Sequence, residues 1–423
     1  MNHNRGILDL EIKPVIFCSI AVKHSTITLD PAKSLTIELL QVLPTHFELI
    51  QELQLFKRPK TRKLGRADLV EHNLQHAAKL HPSPSREKPK EGSLSPLAAH
   101  PPTLRFPRPC FRGSLSRFMR CFYSQELERA IPDSHAFPAE KFRASKDMLL
   151  EGGILTPEEI IEVGSASVGL IERVHAPDYV RAIEYGQLGL KEQILLGLPA
   201  GPGLFARSAG EVEATRLACQ AALTEGIGVC LAGGKHHAYR DRGIDQSVFN
   251  DVAIAIRDLQ SRQPNIRIMV VDTDAHRGSG TATLLAGDPR VFTYSIHVRH
   301  NLPAQPQSAG TLDVETVRYV EGAMYLNQLF SSLARALDAF SPDLVIWISG
   351  ADNHQDDRHG QMYLSAEDLR HRDEVLLGAF IKNRIPVAVL YGGGSNRQPE
   401  FTARLHHNTI ATAKKIASIH RGL

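Results

Sequence analysis

Residues 268–280 read IMVVDTDAHRGSG. Four apolar residues, two of them β-branched valines, run straight into an alternating polar segment. Such a continuous apolar run suits a strand buried on both faces, as in a parallel sheet. In an extended segment residues two apart face the same way, so Asp272, Asp274 and His276 present a row of oxygen and nitrogen donors. Unpaired carboxylates directly after a buried strand are costly, so the row points to a bound cation.

The same texture recurs on either side. Apolar runs occupy 228–232 (GVCLA), 291–296 (VFTYSI), 344–348 (LVIWI) and 387–391 (VAVLY). Segments of helical period fill the spaces between them at 208–225, 251–261, 314–339 and 366–382. Apolar strands separated by amphipathic helices predict an α/β fold with a mostly parallel sheet covered on both faces. Chemistry in such folds gathers outside the carboxyl ends of the strands.

The residues directly behind each run fit that rule. After GVCLA come Gly233, Gly234, Lys235, His236 and His237; after LVIWI come Ser349, Gly350, Ala351 and Asp352; after VAVLY come three glycines and Ser395. Asp352 adds a carboxylate from a second strand end to Asp274 and His276. Three protein ligands with a further position open describe a catalytic metal site rather than a structural one. The donor set suits Zn²⁺, Fe²⁺, Mn²⁺ or Co²⁺. Paired histidines beside it suit proton transfer, one accepting from water and the other donating to a leaving group.

The ordered series GGKHHAYRDRG (233–243), FND (249–251), DTDAHRGSG (272–280), GAD (350–352), Asp357-Arg358 and GGG (392–394) resembles the zinc-dependent histone deacetylase superfamily. SHAFPAEKF (134–142) and RVHAPDYV (173–180) bring it nearest to class IV and bacterial deacetylase-like members. The likeness spans 119–423 and does not extend over 1–118. It implies one large three-layer αβα domain of the arginase/deacetylase type. It also implies Asp274, His276 and Asp352 as ligands of Zn²⁺, with Fe²⁺ as the other candidate, and His236 and His237 as catalytic. Asp272 matches the carboxylate that supports the first histidine. The implied reaction is hydrolysis of an acyl-lysine amide, and the implied partners are an acyl-lysine protein or an acylated small amine.

Several positions depart from the family pattern. Ser395 stands where a tyrosine hydroxyl usually donates to the developing oxyanion, and its own hydroxyl is too short to reach there directly. Tyr391, four residues earlier, is a weak substitute. Asp245, Gln246 and Ser247 replace the Gly-Phe-Cys that flanks the acyl-lysine stem, so the substrate pocket, which also includes Gly393, is expected to be polar. Ser279 replaces the acidic or amide group that supports the second histidine, so His237 is expected to be less firmly oriented. These changes leave two readings: a deacylase with altered or weakened activity, and a metal-binding pseudoenzyme that recognises acyl groups or partners. A dinuclear manganese ureohydrolase would need a second ligand set, for which only His354 offers itself.

Length and charge frame the rest. The chain has 423 residues and a formal net charge of +3. About 18 Lys and Arg against about 10 acidic residues lie before residue 119, leaving roughly −5 for the remainder. Residues 81–109 hold eight prolines and read as an extended linker. The basic cluster KRPKTRKLGR (57–66) reads as a solvated charged run, and no direct nucleic-acid binding is expected of the catalytic domain. Residues 1–118 are therefore expected to be a basic, Pro-rich and poorly ordered extension or a mis-assigned start before Met119. Five scattered cysteines without a CxxC pair suit a reducing cytoplasm. No apolar run reaches the roughly 18 to 20 residues of a membrane span, and 15–22 is too short for a signal peptide.

Overall fold

The computed structural model describes residues 119–421 apart from 129–130, 132–136, 302–308 and 397. The expected N-terminal extension and the start of the SHAFPAEKF motif lie outside the described residues.

Among the described residues eight strands form one sheet: β1 (Arg120–Tyr123), β2 (Ile160–Glu162), β3 (Ile227–Cys230), β4 (Ile268–Asp272), β5 (Val291–Val298), β6 (Leu312–Thr316), β7 (Leu344–Ile348) and β8 (Val387–Leu390). Their order is β2-β1-β3-β8-β7-β4-β5-β6, and every neighbouring pair is parallel. The four central strands β3, β8, β7 and β4 are buried at every residue. Their valines and isoleucines pack both faces of the pleat, the condition that a parallel sheet between helices requires.

The helices are α1 (Glu140–Glu151), α2 (Val168–Ile171), α3 (Pro177–Glu184), α4 (Leu190–Leu196), α5 (Pro202–Glu225), α6 (Asp251–Arg262), α7 (Ser279–Leu285), α8 (Gly322–Ala339), α9 (Ala366–Lys382) and α10 (Pro399–Arg421). Helices α5, α6 and α7 form one covering layer; α1, α10, α9 and α8 form the other. The expected three-layer αβα architecture is therefore present.

Two caps fix helix starts near the strand ends. Asn250 accepts the Ala253 N–H at 2.9 Å and opens α6. Ser365 and Asp368 form a reciprocal capping box that opens α9.

One expected helix begins differently. Residues 312–316 (LDVET) form the edge strand β6, paired to β5, and α8 starts only at Gly322. The run alternates apolar and polar residues and holds β-branched Val314 and Thr316, so the period-two pattern decides these five residues. The strands β1 and β2, which lie outside the expected runs, extend the opposite edge.

The register determines where the loops emerge. Asp272 pairs with Ile348, Ile348 with Leu390, and Leu390 with Cys230, so the four central strands end level. Backbone bonds continue the zipper one step further: Thr273 N–H donates to Ile348 O, Ser349 N–H to Leu390 O, and Tyr391 N–H to Ala232 O. The loops after four strands thus leave the sheet side by side.

Candidate metal centre

Past the end of β4 the chain stops being a strand, and the expected row of three donors divides. Asp272 turns to His236, its Oδ2 lying 2.6 Å from His236 Nδ1. Asp274 and His276 turn to Asp352 from the β7 loop: His276 Nδ1 lies 3.0 Å from Asp274 Oδ1 and 2.8 Å from Asp352 Oδ2. One ligand-type atom from each of Asp274, His276 and Asp352 falls within 4.8 Å of the others. Among the described residues this is the one such cluster of three.

Backbone amides hold the carboxylates in place. Asp352 Oδ1 accepts from Ala275 N–H at 3.0 Å, and Asp274 Oδ2 accepts from Gly393 N–H at 2.7 Å. Both side chains are almost wholly buried. Burial and the neighbouring Asp274 charge push the Asp352 carboxyl above the ordinary carboxylate range. For Asp274 burial acts in the same upward sense, but His236 and His276 outweigh it and hold the group well below its usual value. His276 Nδ1 lies between these two buried carboxylates; burial alone would lower its pKa, but the carboxylates push it well above the ordinary value. The cluster thus favours positive charge at this point, and a divalent cation among the same oxygen and imidazole donors would supply it. The residues present therefore fit a dication.

The glycine run explains how β8 reaches the centre. A Cβ at Gly393 would stand 2.5 Å from Asp274 Oδ2 and 2.8 Å from Asp352 Oδ2, so only bare backbone passes here. Two residues on, the half-buried Ser395 is tied by its N–H to Asp357 Oδ2 at 2.6 Å. Tyr391 packs against α1 and α10, its hydroxyl 2.7 Å from Ser145 Oγ and its ring stacked on His406.

His236 and His237 arrive from the loop after β3, with their Nε2 atoms 3.1 Å apart. Burial alone would lower the His236 pKa, but Asp272 and Asp274 outweigh it and raise it to about 9. His237 goes the other way, lowered well below its ordinary value by burial and by the two neighbouring histidines. Its Nδ1 is buried without a hydrogen-bond partner. Ser279 does not supply one: its hydroxyl donates to the Arg277 carbonyl at 3.2 Å.

Asp245 and Gln246 form the tip of a tight hairpin in which Ile244 and Ser247 exchange backbone bonds. Both tip residues have positive φ, +46° and +62°, a conformation that side-chain-bearing residues adopt only when the surroundings enforce it. Bonds to the Leu195 and Leu196 carbonyls of α4 do so, and they aim Asp245 Oδ2 to 3.9 Å from His237 Nε2. His354 stays apart from the cluster, its Nδ1 accepting from Asp356 N–H and its ring edge-on to Phe401.

Three supporting residues were not singled out in the sequence. Asp251 is buried and accepts from Gly234 N–H (2.9 Å), Lys235 N–H (2.7 Å) and Thr215 Oγ1 (2.5 Å), fixing the loop that carries the histidines. Its position in the FND triplet was the available signal. Lys141 of α1 is buried and donates to Gly394 O at 2.8 Å; burial and the nearby Lys235 lower its pKa to about 8. Arg372 of α9 binds the loop around Asp352. Lys141 lies in the SHAFPAEKF motif, which was the signal for it; nothing local in sequence marks Arg372.

Sheet and cluster together define a three-layer α/β protein with a dication-type donor set at its strand ends. Residues 135–411 match the family described as the histone deacetylase domain, and the chain belongs to that family. An uncharacterized protein of Picosynechococcus sp. is 37% identical over 272 residues, 64% of this chain and 90% of that protein. The acetoin utilization protein AcuC of Staphylococcus aureus is 26% identical over 264 residues, 57% of this chain and 68% of the relative. Histone deacetylase 2 of Arabidopsis thaliana is 26% identical over 326 residues, covering 73% and 84%. The crystal structure of the HDA15 HD domain shares the fold, with a TM-score of 0.59 at 17% identity over 71% of this chain and 90% of that one. No helix among the described residues is long and apolar enough to cross a membrane.

Proposed function

We propose that this protein is a metal-dependent amide hydrolase that removes acyl groups from lysine side chains of proteins or from small amines. The observation that carries the reading is the convergence of Asp274, His276 and Asp352 beside a histidine pair whose first member is held by Asp272. Asp274, His276 and Asp352 would hold a Zn²⁺ or Fe²⁺ ion, which when bound would supply Lewis acidity and lower the pKa of water. The chain's own residues manage the protons. His237, kept neutral by burial, takes a proton at Nε2 as the water oxygen bonds to the acyl carbon. His236, kept charged by Asp272, gives one to the amine nitrogen as the C–N bond breaks. The products are a carboxylic acid, which loses its proton to solvent to become the carboxylate, and a free amine. Return of the proton from His237 Nε2 to His236 Nε2, 3.1 Å away, resets the pair.

Ser395 favours a slow version of this reaction. Its hydroxyl lies several ångström short of a tyrosine's, and losing one oxyanion donor costs on the order of 10² to 10³ in rate. The same serine, with the unpartnered His237 Nδ1, supports the second reading of a metal-binding protein that holds acyl groups without turnover. The buried free thiols of Cys121, Cys219 and Cys230 suit a reducing cytoplasm as its place of action.

Purified protein loaded with Zn²⁺ or Fe²⁺ and offered a panel of acyl-lysine peptides and acyl-polyamines separates the two. Hydrolysis above that of a His236→Ala, Asp274→Ala control supports the enzyme; none supports the binding protein.

A further inference from the structure

Asp352 lies between two residues that are gripped from behind. Arg372 of α9 is buried beneath the β7 loop, and its Nη1 donates to Gly350 O at 2.8 Å and to Asn353 Oδ1 at 2.7 Å. These acceptors flank Asp352 on both sides in the chain. The guanidinium is fixed in turn: Nε donates to Asp373 Oδ1 at 2.8 Å, and Asp373 Oδ2 accepts from Thr409 Oγ1 of α10 at 2.6 Å. The guanidinium carbon lies 5.6 Å from the centre of the Trp347 ring, which belongs to the strand leading into the loop.

A pair this deeply buried, with 1% and 2% of the side chains exposed, is a poor device for stability, because apolar residues of equal volume often serve as well or better. What a guanidinium adds is direction, since its planar donors fix their acceptors in angle as well as distance. Here that constraint falls on a loop with no slack. A Cβ at Gly350 would stand 2.6 Å from Asp274 Cα and 2.7 Å from Asp352 Oδ1, so the loop is pressed against the other carboxylate's backbone. A shift of Gly350 or Asn353 would change the separation of the two carboxylates.

We propose that Arg372, locked by Asp373 and Thr409, is a positioning residue that sets Asp352 at the spacing from Asp274 and His276 needed for metal capture. The inference rests on the proposed metal centre and concerns affinity, so its test does not require turnover.

The test compares Zn²⁺ affinity, by competition with a chromophoric chelator, and the thermal midpoint of the metal-free protein. The double variant Arg372→Met, Asp373→Asn removes both charges and leaves Thr409 an acceptor. It is expected to bind Zn²⁺ about 10- to 100-fold more weakly, the usual effect of removing a group that orients a ligand. Its metal-free midpoint should stay within about 10 °C of the parent, because no charge is left buried and unpaired and the cost is confined to the two acceptors, Gly350 O and Asn353 Oδ1, that lose a donor. Thr409→Val, which frees one Asp373 oxygen, should weaken Zn²⁺ binding by a smaller factor, and Arg372→Lys should fall between Thr409→Val and the double variant. A merely structural role predicts a lower midpoint with unchanged affinity of the folded fraction, and that result overturns the proposal. Should the double variant fail to fold, unchanged affinity in Thr409→Val overturns it instead. A parent protein that binds no Zn²⁺ removes the metal centre itself, an outcome distinct from a parent that binds tightly alongside variants that bind equally well.

Discussion

The N–H of Ser395 donates to Asp357 Oδ2 at 2.6 Å, and the other oxygen of the same carboxylate accepts from His359 N–H at 2.8 Å and Gly360 N–H at 2.9 Å. One half-buried carboxylate thus ties the glycine loop after β8 to the loop after β7. This tether fixes the backbone position from which the side chain at 395 leaves, and the residue type sets how far the side chain reaches. Ser395→Tyr is therefore expected to raise kcat for an acyl-lysine peptide by about 10²- to 10³-fold, with little change in KM. Steady-state kinetics at equal Zn²⁺ content checks this; an unchanged kcat would show that the hydroxyl was not the missing element.

The Asp272–His236 pair makes a separate demand. Asp272 Oδ2 keeps the imidazole oriented and charged, and its Oδ1 accepts from Asp274 N–H at 3.1 Å. Asp272→Asn keeps the shape but removes the charge that raises the His236 pKa. We expect kcat to fall by about 10²- to 10⁴-fold, in the range of a lost proton-transfer contribution. Metal analysis of the variant should still find one ion per chain. A variant that loses its metal would show instead that Asp272 serves the ligand set.

The parts that were legible in the sequence share a physical origin. Central strands must be apolar on both faces, so β4, β7 and β8 stand out as uninterrupted runs, and the register brings the polar residues directly behind them together. Edge elements carry no such signature. β6 is half-exposed, and its LDVET pattern merges in sequence with the helix beyond it; β1 and β2 are four and three residues long. The contacts of Lys141 and Arg372 were not legible for another reason. They act from helices 253 and 22 residues away from the carbonyls they bind, so neither the SHAFPAEKF motif around Lys141 nor the helical pattern around Arg372 names the partner.

His175 predicts a pH dependence away from the metal centre. Its Nε2 accepts the Asn250 N–H at 2.9 Å, which requires a neutral ring, and burial lowers its pKa from 6.5 to about 4. Above about pH 6.5 the ring is neutral in both folded and unfolded chains and contributes no slope. Between 6.5 and 4 the unfolded chain binds the proton and the folded one does not, so stability falls as pH falls, by about 2 kcal/mol between pH 7 and pH 5. Asn250 caps α6 beside Asp251, so the same proton loosens the support of the His236 loop. His175→Gln retains an acceptor without a proton site. Denaturant midpoints at the two pH values should converge in this variant relative to the parent, and equal pH slopes in both would place the titration elsewhere.

Gly393 offers the sharpest test of the centre's geometry. Its N–H bonds Asp274, its carbonyl accepts from Ala351 N–H at 3.0 Å, and its Cα leaves no space for a methyl group. Its φ is not in the left-handed region, so alanine introduces no backbone strain and the effect of substitution is one of space alone. The atoms in the way are Asp274 Oδ2 and Asp352 Oδ2, both fixed by hydrogen bonds, so the methyl group must push a carboxylate or withdraw the β8 loop. Gly393→Ala is expected to weaken Zn²⁺ binding by about tenfold or more and to lower kcat further, while β8 itself stays paired because its last residue, Leu390, lies three positions before the clash. Chelator competition together with circular dichroism checks this. A folded Gly393→Ala protein with the parent's Zn²⁺ affinity would mean that the ion sits on the far side of the two carboxylates from the glycine loop.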